Sequence, residues 1–325
     1  MIDFIRLRKE LQDGEILCLD NLIDIEKYDA RGKHYYIKNV FNHILLIHNA
    51  NNGVIEISGS LLYYIQGHNF TFSMDKFIEA VNDIGEKLHL NIWNSTVERL
   101  EFGVIMEIDE EPSCYLLRHH DKEGENLKED GRLCDLKSFK WWCDSNVSIK
   151  MYDARKNAMN KVSSFIRNEI KEFNSKSQYL KFEVHYKKPY IVLNHGKDIK
   201  LSSIIMPEWI DRLKEDLLLQ YGRLKYITGL KPPKCKKELS TADWFLRSTI
   251  MYGLDKGYKV EDIKKDMYGY LKSCDVINED DRKARQRQFL NRIKLIEYNT
   301  ESLTDKIINA LILNEQCYII NRSNS

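Results

Sequence analysis

Val97-Glu-Arg-Leu-Glu-Phe-Gly-Val-Ile-Met-Glu-Ile108 changes polarity with period two. Leu100, Phe102, Val104, Met106 and Ile108 share one side, and Glu101, Gly103, Ile105 and Glu107 share the other. Successive side chains of a strand point to opposite faces, so the run predicts a strand with one apolar face. Tyr179-Leu-Lys-Phe-Glu-Val-His-Tyr-Lys187 repeats the pattern, with Leu180, Phe182, Val184 and Tyr186 inward and Lys181, Glu183, His185 and Lys187 on the opposite face. Such alternation belongs to antiparallel sheets packed on one side. The expected fold class is therefore α+β, built on an antiparallel sheet.

Outward from these runs, residues 34–47 and 53–58 read as strands, the second after an Asn51-Asn52-Gly53 turn. Gly67 is expected to end a helix containing Leu61 to Ile65 in a left-handed conformation. Ser73 caps a helix whose core face is Phe77, Val81, Ile84 and Leu88. The stretch 109–146 is polar and irregular, expected as loops with a short helix carrying Trp141 and Trp142; His119 and His120 read as surface residues. Strand-like Ser148–Met151 leads into Tyr152 and a basic helix to about Phe173. From Pro207 onward the pattern is helical almost throughout. Trp209, Ile210, Leu213, Leu217 and Leu218 form one stripe, and Trp244, Phe245, Ile250, Met251 and Leu254 another, stopped by Gly257. A boundary near 196–206 divides the chain into an α+β domain (1–200) and a helical domain (201–325).

With 325 residues the chain is long enough for two domains. Its 43% hydrophobic and 30% charged content describes a soluble globular protein, and only 5 prolines argue against long disordered segments. No apolar run approaches the roughly 20 residues that span a bilayer, so no membrane partner is expected. The 7 cysteines are scattered without a Cys-x-x-Cys pair, which fits free thiols in a reducing cytoplasm. A net charge of +1 does not advertise nucleic-acid binding, so basic clusters carry that argument. Two stand out: Lys231 to Lys237, with Lys234, Lys236 and Lys237, and Arg282 to Lys294, with Arg282, Lys283, Arg285 and Arg287. A solvated helix face or loop accounts for either run equally well.

If a helix begins after Ile149-Lys150-Met151, Tyr152 and Lys156 project from one face of it. Such a pair suits an enzyme that attacks a DNA phosphate with a phenol oxygen and keeps a cation beside the transferred phosphoryl group. The free phenol, with a pKa of about 10, is a poor nucleophile, so the site needs help. A hard divalent cation, Mg²⁺ or Mn²⁺, polarises a phosphate and takes carboxylate oxygens, with imidazole tolerated by Mn²⁺. Glu101, with Gly103 leaving open space beside it, and the co-facial Glu183 and His185 are the candidate ligands. A plain solvent face for the two strands is the competing reading.

Several stretches in order resemble the filamentous-phage gene II/X family of replication initiators and its plasmid relatives. They are Met1-Ile-Asp-Phe-Ile-Arg-Leu-Arg8, Ile55 to Asn69 (IEISGSLLYYIQGHN), Val97-Glu-Arg-Leu-Glu101, Met151-Tyr-Asp153 and Leu180-Lys-Phe-Glu-Val-His185. The likeness covers roughly residues 1–190, with Glu101 where the family usually has Asp and Lys181 where it usually has Arg. It implies a metal-dependent endonuclease of the HUH type, named for a His-hydrophobic-His motif on a central antiparallel sheet. No such triplet occurs here, so ligation falls to a divergent set, and a single tyrosine occupies the nucleophile position. The implied activity is rolling-circle initiation: Tyr152 nicks one strand of origin DNA, single-stranded or supercoiled duplex. It stays on the 5′ phosphate, frees a 3′ hydroxyl for a host helicase and polymerase, and later rejoins the ends. Lys156 would steady the phosphate, His68 and Asn69 would reach a phosphate or base, and the basic C-terminal residues would contact DNA. Two alternatives stand beside it: a non-catalytic replication or copy-number regulator, favoured by the missing histidine pair, and a mobilisation relaxase.

Overall fold

The computed structural model describes residues 1–17, 35–41, 43–49, 53–132, 138–162, 176–231, 240–256, 258 and 260–322. Lys234, Lys236, Lys237 and Gly257 lie outside the described residues.

The two period-two runs are the middle of a nine-stranded antiparallel sheet. Strands β1 (Ile2–Glu10), β2 (Tyr35–Phe41), β3 (Ile44–Asn49), β4 (Val54–Gly59), β5 (Thr96–Ile108), β7 (Lys128–Glu129), β8 (Phe139–Cys143), β9 (Val147–Asp153) and β10 (Gln178–Tyr186) run in the order β2-β3-β4-β1-β5-β10-β9-β8-β7. β5 and β10 stay in register from Gln178↔Ile108 to Tyr186↔Leu100, which opposes Glu183 to Gly103 and His185 to Glu101. Within residues 34–47, read as one extended segment, β2 and β3 instead pair as antiparallel neighbours, with His43 before β3 at φ of 69°.

One face of the sheet is the main core. Leu100, Phe102, Val104, Leu180, Phe182, Val184, Val147, Ile149 and Met151 are buried there, and each apolar side chain of that size contributes roughly 1.5–3 kcal/mol. Helix α1 (Leu61–Gln66) ends at Gly67, whose φ of 75° is the left-handed cap expected. Helix α2 (Met74–Leu88) starts at Ser73, whose hydroxyl accepts the Lys76 amide at 3.3 Å, and buries Phe77, Val81, Ile84 and Leu88 completely. Tyr152 lies on β9, and the helix begins only afterwards, as α4 (Ala154–Lys161).

Stretch 109–146 is more ordered than its polarity suggests. It holds α3 (Pro112–Arg118), β6 (His119–Asp121), β7 and β8, and Trp141 and Trp142 are strand residues. His119 and His120 are buried, against the surface reading. The His119 ring donates through Nδ1 to the Tyr115 carbonyl at 2.7 Å and stacks on Tyr226 at 4.7 Å. Burial holds that imidazole down to about 3. The unfolded chain binds this proton near 6.5 while the folded one refuses it, so stability should fall as pH drops below about 6.5, by roughly 1.4 kcal/mol per unit. Urea unfolding of a His119→Gln variant between about pH 7.5 and about pH 4.5 should show a shallower decline. Parallel declines in the two proteins would place the acid sensitivity elsewhere.

After Pro189, helices α5 (Pro189–Asn194), α6 (Leu201–Ile204) and α7 (Pro207–Tyr221) follow. The helical expectation for this part misses β11 (Leu224–Leu230) and β12 (Tyr298–Glu301), which form a three-stranded sheet with β6. Leu213, Leu217 and Tyr221 of α7 join the main core, as do Ile307, Ala310 and Leu311 of α11 (Thr304–Arg322). Helices α8 (Thr241–Asp255), α9 (Val260–Lys272) and α10 (Glu279–Lys294) enclose a smaller core of Ile227, Ile250, Leu254, Ile263, Ile293 and Ile296. Trp244 and Phe245, read as part of an apolar stripe, are 62% and 67% exposed. Their neighbours Ile250 and Leu254 carry the packing. No helix is long and apolar enough to cross a membrane among the described residues. Cys114, Cys143 and Cys274 are free thiols.

Candidate active site on the polar face of the sheet

The face opposite the core is not a solvent face. Tyr63, Phe70, Ala154, Ala158, Val162 and Tyr179 form a small apolar cluster with Ile105, laying α1 and α4 over part of it. Beneath lie Glu183 at 2% and Lys181 at 1% exposure. Charges this buried survive only when paired, and here they are. Lys181 Nζ bonds Asp3 and lies 3.0 Å from Glu183 Oε2. Lys150 Nζ bridges Glu101 Oε1 at 2.6 Å and Glu183 Oε1 at 3.2 Å.

Sheet register explains the assembly. Glu101 and Gly103 of β5, Lys181, Glu183 and His185 of β10, and Lys150 and Tyr152 of β9 all point to this side, with Lys181↔Tyr152 and Glu183↔Lys150 as cross-strand partners. Asp3 arrives by another route. The pairing of β1 with β5 shifts between Ile2 and Ile5. This irregularity lets Ile2 and Ile5 both face the core while Asp3 turns to Lys181. Gly103 does not leave open space. A Cβ there would sit 2.5 Å from Glu183 Cβ and 2.4 Å from the Phe182 carbonyl oxygen, so glycine allows β5 and β10 to close tightly beside the acid.

Tyr152 is 8% exposed, and its hydroxyl donates to Glu183 Oε2 at 3.0 Å. Burial, then the Glu183 charge, holds the phenol well above its ordinary pKa. Burial alone would raise Glu183, but Lys181 and Lys150 outweigh it and keep the carboxylate below its usual range. Glu101 is pushed up to about 7, chiefly by burial and then by the Glu183 charge, against the pull of Lys150. Burial and the nearby Lys150 push the His185 imidazole down to about 4, so it is neutral at pH 7. Its Nδ1 lies 3.3 Å from Glu101 Oε1, yet neither ring nitrogen forms a hydrogen bond. The buried Tyr63 hydroxyl is likewise unbonded, and burial followed by the Asp3 charge pushes it up to about 12.

The expected trio Glu101, Glu183 and His185 is thus gathered on one face, with an addition. The ligand atoms of Asp3, Glu101 and Glu183 all lie within 4.8 Å of one another. Sequence reasoning missed Asp3; its only signal was its place inside the Met1–Arg8 stretch that carried the family likeness. Three carboxylate oxygens, with an unbonded neutral imidazole beside them, suit a hard divalent cation that tolerates nitrogen. Such an ion would have to displace the Lys150 ammonium, whose side chain is 15% exposed, and to share Asp3 and Glu183 with Lys181.

Lys156 lies on α4, exposed; its amide donates to the capping Asp153 carboxylate at 2.8 Å. Its side chain lines a cavity of about 270 Å³ together with Tyr152, Lys150, Trp141, Phe139 and Glu183. Tyr152 and Lys156 thus border one cavity, from a strand end and the helix after it, and not from one helix face. Asn69 is buried and its amide donates to Asp3, while the His68 ring accepts the Phe70 amide at 3.3 Å. Both act in the turn that holds Asp3. On α10, Lys283 pairs with Glu279 at 2.8 Å, Arg282 donates to the Ile277 carbonyl at 3.5 Å, and Arg285 and Arg287 are exposed. Comparison of the chain with family models, curated proteins and solved structures found no match.

Proposed function

We propose that the chain is a metal-dependent nicking and joining nuclease of HUH-like character, acting as a rolling-circle replication initiator with Tyr152 as nucleophile. One observation carries the reading: the Tyr152 hydroxyl donates to Glu183 at 3.0 Å, within a convergent group of three carboxylates that borders a cavity. In this reading Tyr152 Oη forms a bond to phosphorus as the bond to the 3′ oxygen breaks. The phenol proton leaves through its hydrogen bond to Glu183 and passes on to solvent, which also protonates the departing 3′ oxygen, while Glu183 stays ionised. Lys156, at the cavity rim, neutralises a phosphate oxygen. Lys181 holds Glu183 and Asp3 in place and keeps Glu183 ionised. Asp3, Glu101 and Glu183, with His185 beside them, would hold Mg²⁺ or Mn²⁺, which when bound lowers the negative charge felt by an incoming phosphate. Residues 1–200 carry all of these groups; the residues after 200, α10 among them, are assigned to DNA contacts.

A second reading has its own observation. Tyr152 is buried, and the lysines already neutralise carboxylates that a cation would need. A DNA-binding regulator built on the same sheet would look this way. Supercoiled DNA of the element encoding the chain, with Mn²⁺ or Mg²⁺, separates the two. Open circles carrying covalently attached protein support the nuclease. A band shift with no nicking supports the regulator.

The ligand set is tested separately. Glu101→Gln and Glu183→Gln should each weaken Mn²⁺ binding in calorimetric titration, because an amide keeps the shape but loses the charge that a hard cation needs. Asp3→Asn should do the same. His185→Ala should lower Mn²⁺ affinity more than Mg²⁺ affinity. Wild-type titrations in all four variants would discard the site.

A further inference from the structure

Beyond the carboxylate group, the same face of the sheet carries charge of the opposite sign. Arg6 of β1 and Arg99 of β5 are direct cross-strand partners. Lys187 follows Tyr186, which is paired with Leu100, so Lys187 continues the row on the far side of Arg99. Like charges placed opposite one another in a sheet repel. Arg6 and Arg99 form no ion pair among the described residues, and Arg6 Nε is buried without a hydrogen bond. Among the described residues, Lys187 donates only to the Asp144 carbonyl, at 2.6 Å.

These residues line a cavity of about 780 Å³. Of its other charged groups, Arg8 pairs with Glu10 at 3.1 Å and Lys9 with Glu15 at 2.7 Å. The Lys200 ammonium bonds, among the described residues, only the Thr96 hydroxyl, at 3.0 Å. Glu98 and Asp198 also line the cavity, so Arg6, Arg99, Lys187 and Lys200 outnumber two carboxylates and the balance is positive. This positive charge is also continuous with the candidate active site. Arg99 and Lys187 precede and follow Glu101 and His185 by two residues on the same face, an advance of roughly 7 Å along a strand. Aromatic side chains stand at both ends: Tyr190 in this cavity, and Phe139 and Trp141 beside Tyr152. A positive groove with aromatic platforms along it is the general solution for holding a single strand by its backbone and its base faces.

We propose that Arg6, Arg99 and Lys187 form a phosphate track that leads single-stranded DNA along the sheet to Tyr152. The inference rests on the nuclease reading for its direction but not for its chemistry. It is tested by fluorescence anisotropy of the full chain with a labelled single-stranded oligonucleotide of about 20 nucleotides, titrated across salt. An Arg6→Gln/Arg99→Gln variant should bind at least about tenfold more weakly. Its log–log salt slope should be lower by about 1.4, since each phosphate contact on a single strand contributes about 0.7. Arg99→Gln alone, at an exposed position, should lower the slope by about half as much and covers the case in which the double variant fails to fold. Arg6→Lys/Arg99→Lys should keep the slope, and Lys76→Gln on α2, an exposed cation that lines neither cavity, should leave single-strand binding unchanged.

Wild-type affinity and slope in the Gln variants, with the oligonucleotide still bound by the wild type, would overturn the track and leave the nuclease reading standing. Polyglutamate competing as well as the oligonucleotide would also overturn it, in favour of an acidic polypeptide. A larger loss for duplex than for single strand would refute the single-strand assignment. No binding of any DNA by the wild type would remove both proposals together.

Discussion

A Tyr152→Phe protein should bind DNA as the wild type does and cleave none of it. The substitution removes one oxygen from a side chain that is already buried, so little surface is lost and the fold should hold. What disappears is the 3.0 Å hydrogen bond to Glu183, worth about 1 kcal/mol because Lys150 and Lys181 still satisfy that carboxylate. On the proposed nuclease reading the chemical loss is total, since no phosphotyrosine can form without the phenol oxygen. The measurement is the protein–DNA adduct that survives denaturing electrophoresis. An adduct of full strength in Tyr152→Phe would move the nucleophile, and Tyr63, whose unbonded hydroxyl faces the Asp3 side of the same cluster, would be the next residue to change.

The second large effect is on stability. Lys181→Met should lower it by about 3–5 kcal/mol, because it strands two buried carboxylates, Asp3 and Glu183, with their shared cation gone. Lys150→Met should cost less, as that side chain is nearer to solvent and its partners keep other contacts. Guanidinium unfolding gives both values. A loss below about 1 kcal/mol for Lys181→Met would mean that Asp3 and Glu183 are not held as the ionised pair of this lysine.

What could be read from the sequence followed local periodicity. β5 and β10 announce themselves because alternation is a property of neighbours in the chain, and α2 because Ser73 and the Phe77–Leu88 spacing are local too. Glu101, Glu183 and His185 were placed together by parity alone, which register then made true in space. The rest depends on distant partners. Trp141 and Trp142 become strand residues because β9 is there to pair with them, and His119 is buried because Tyr221 and Tyr226, about a hundred residues later, close over it. Asp3 joins the carboxylates through an irregularity in strand pairing, which leaves no mark in composition. Tyr152 illustrates the opposite error. A plausible helical spacing to Lys156 existed, but β10 captured the tyrosine into the sheet.

The packing of α11 against β5 sets a timetable. Leu303, Ile307, Ala310 and Leu311 belong to the same core as Ile2, Phe102 and Phe182. A growing chain therefore presents the apolar side of its central strands partly uncovered until residues near 311 have left the ribosome. Synthesis at about 5–20 residues per second makes that interval many seconds for a chain of this length. During it that apolar surface is open to contact with other chains. A chain cut before Leu303 should therefore leave part of that apolar face bare and aggregate, which light scattering of the truncated protein checks.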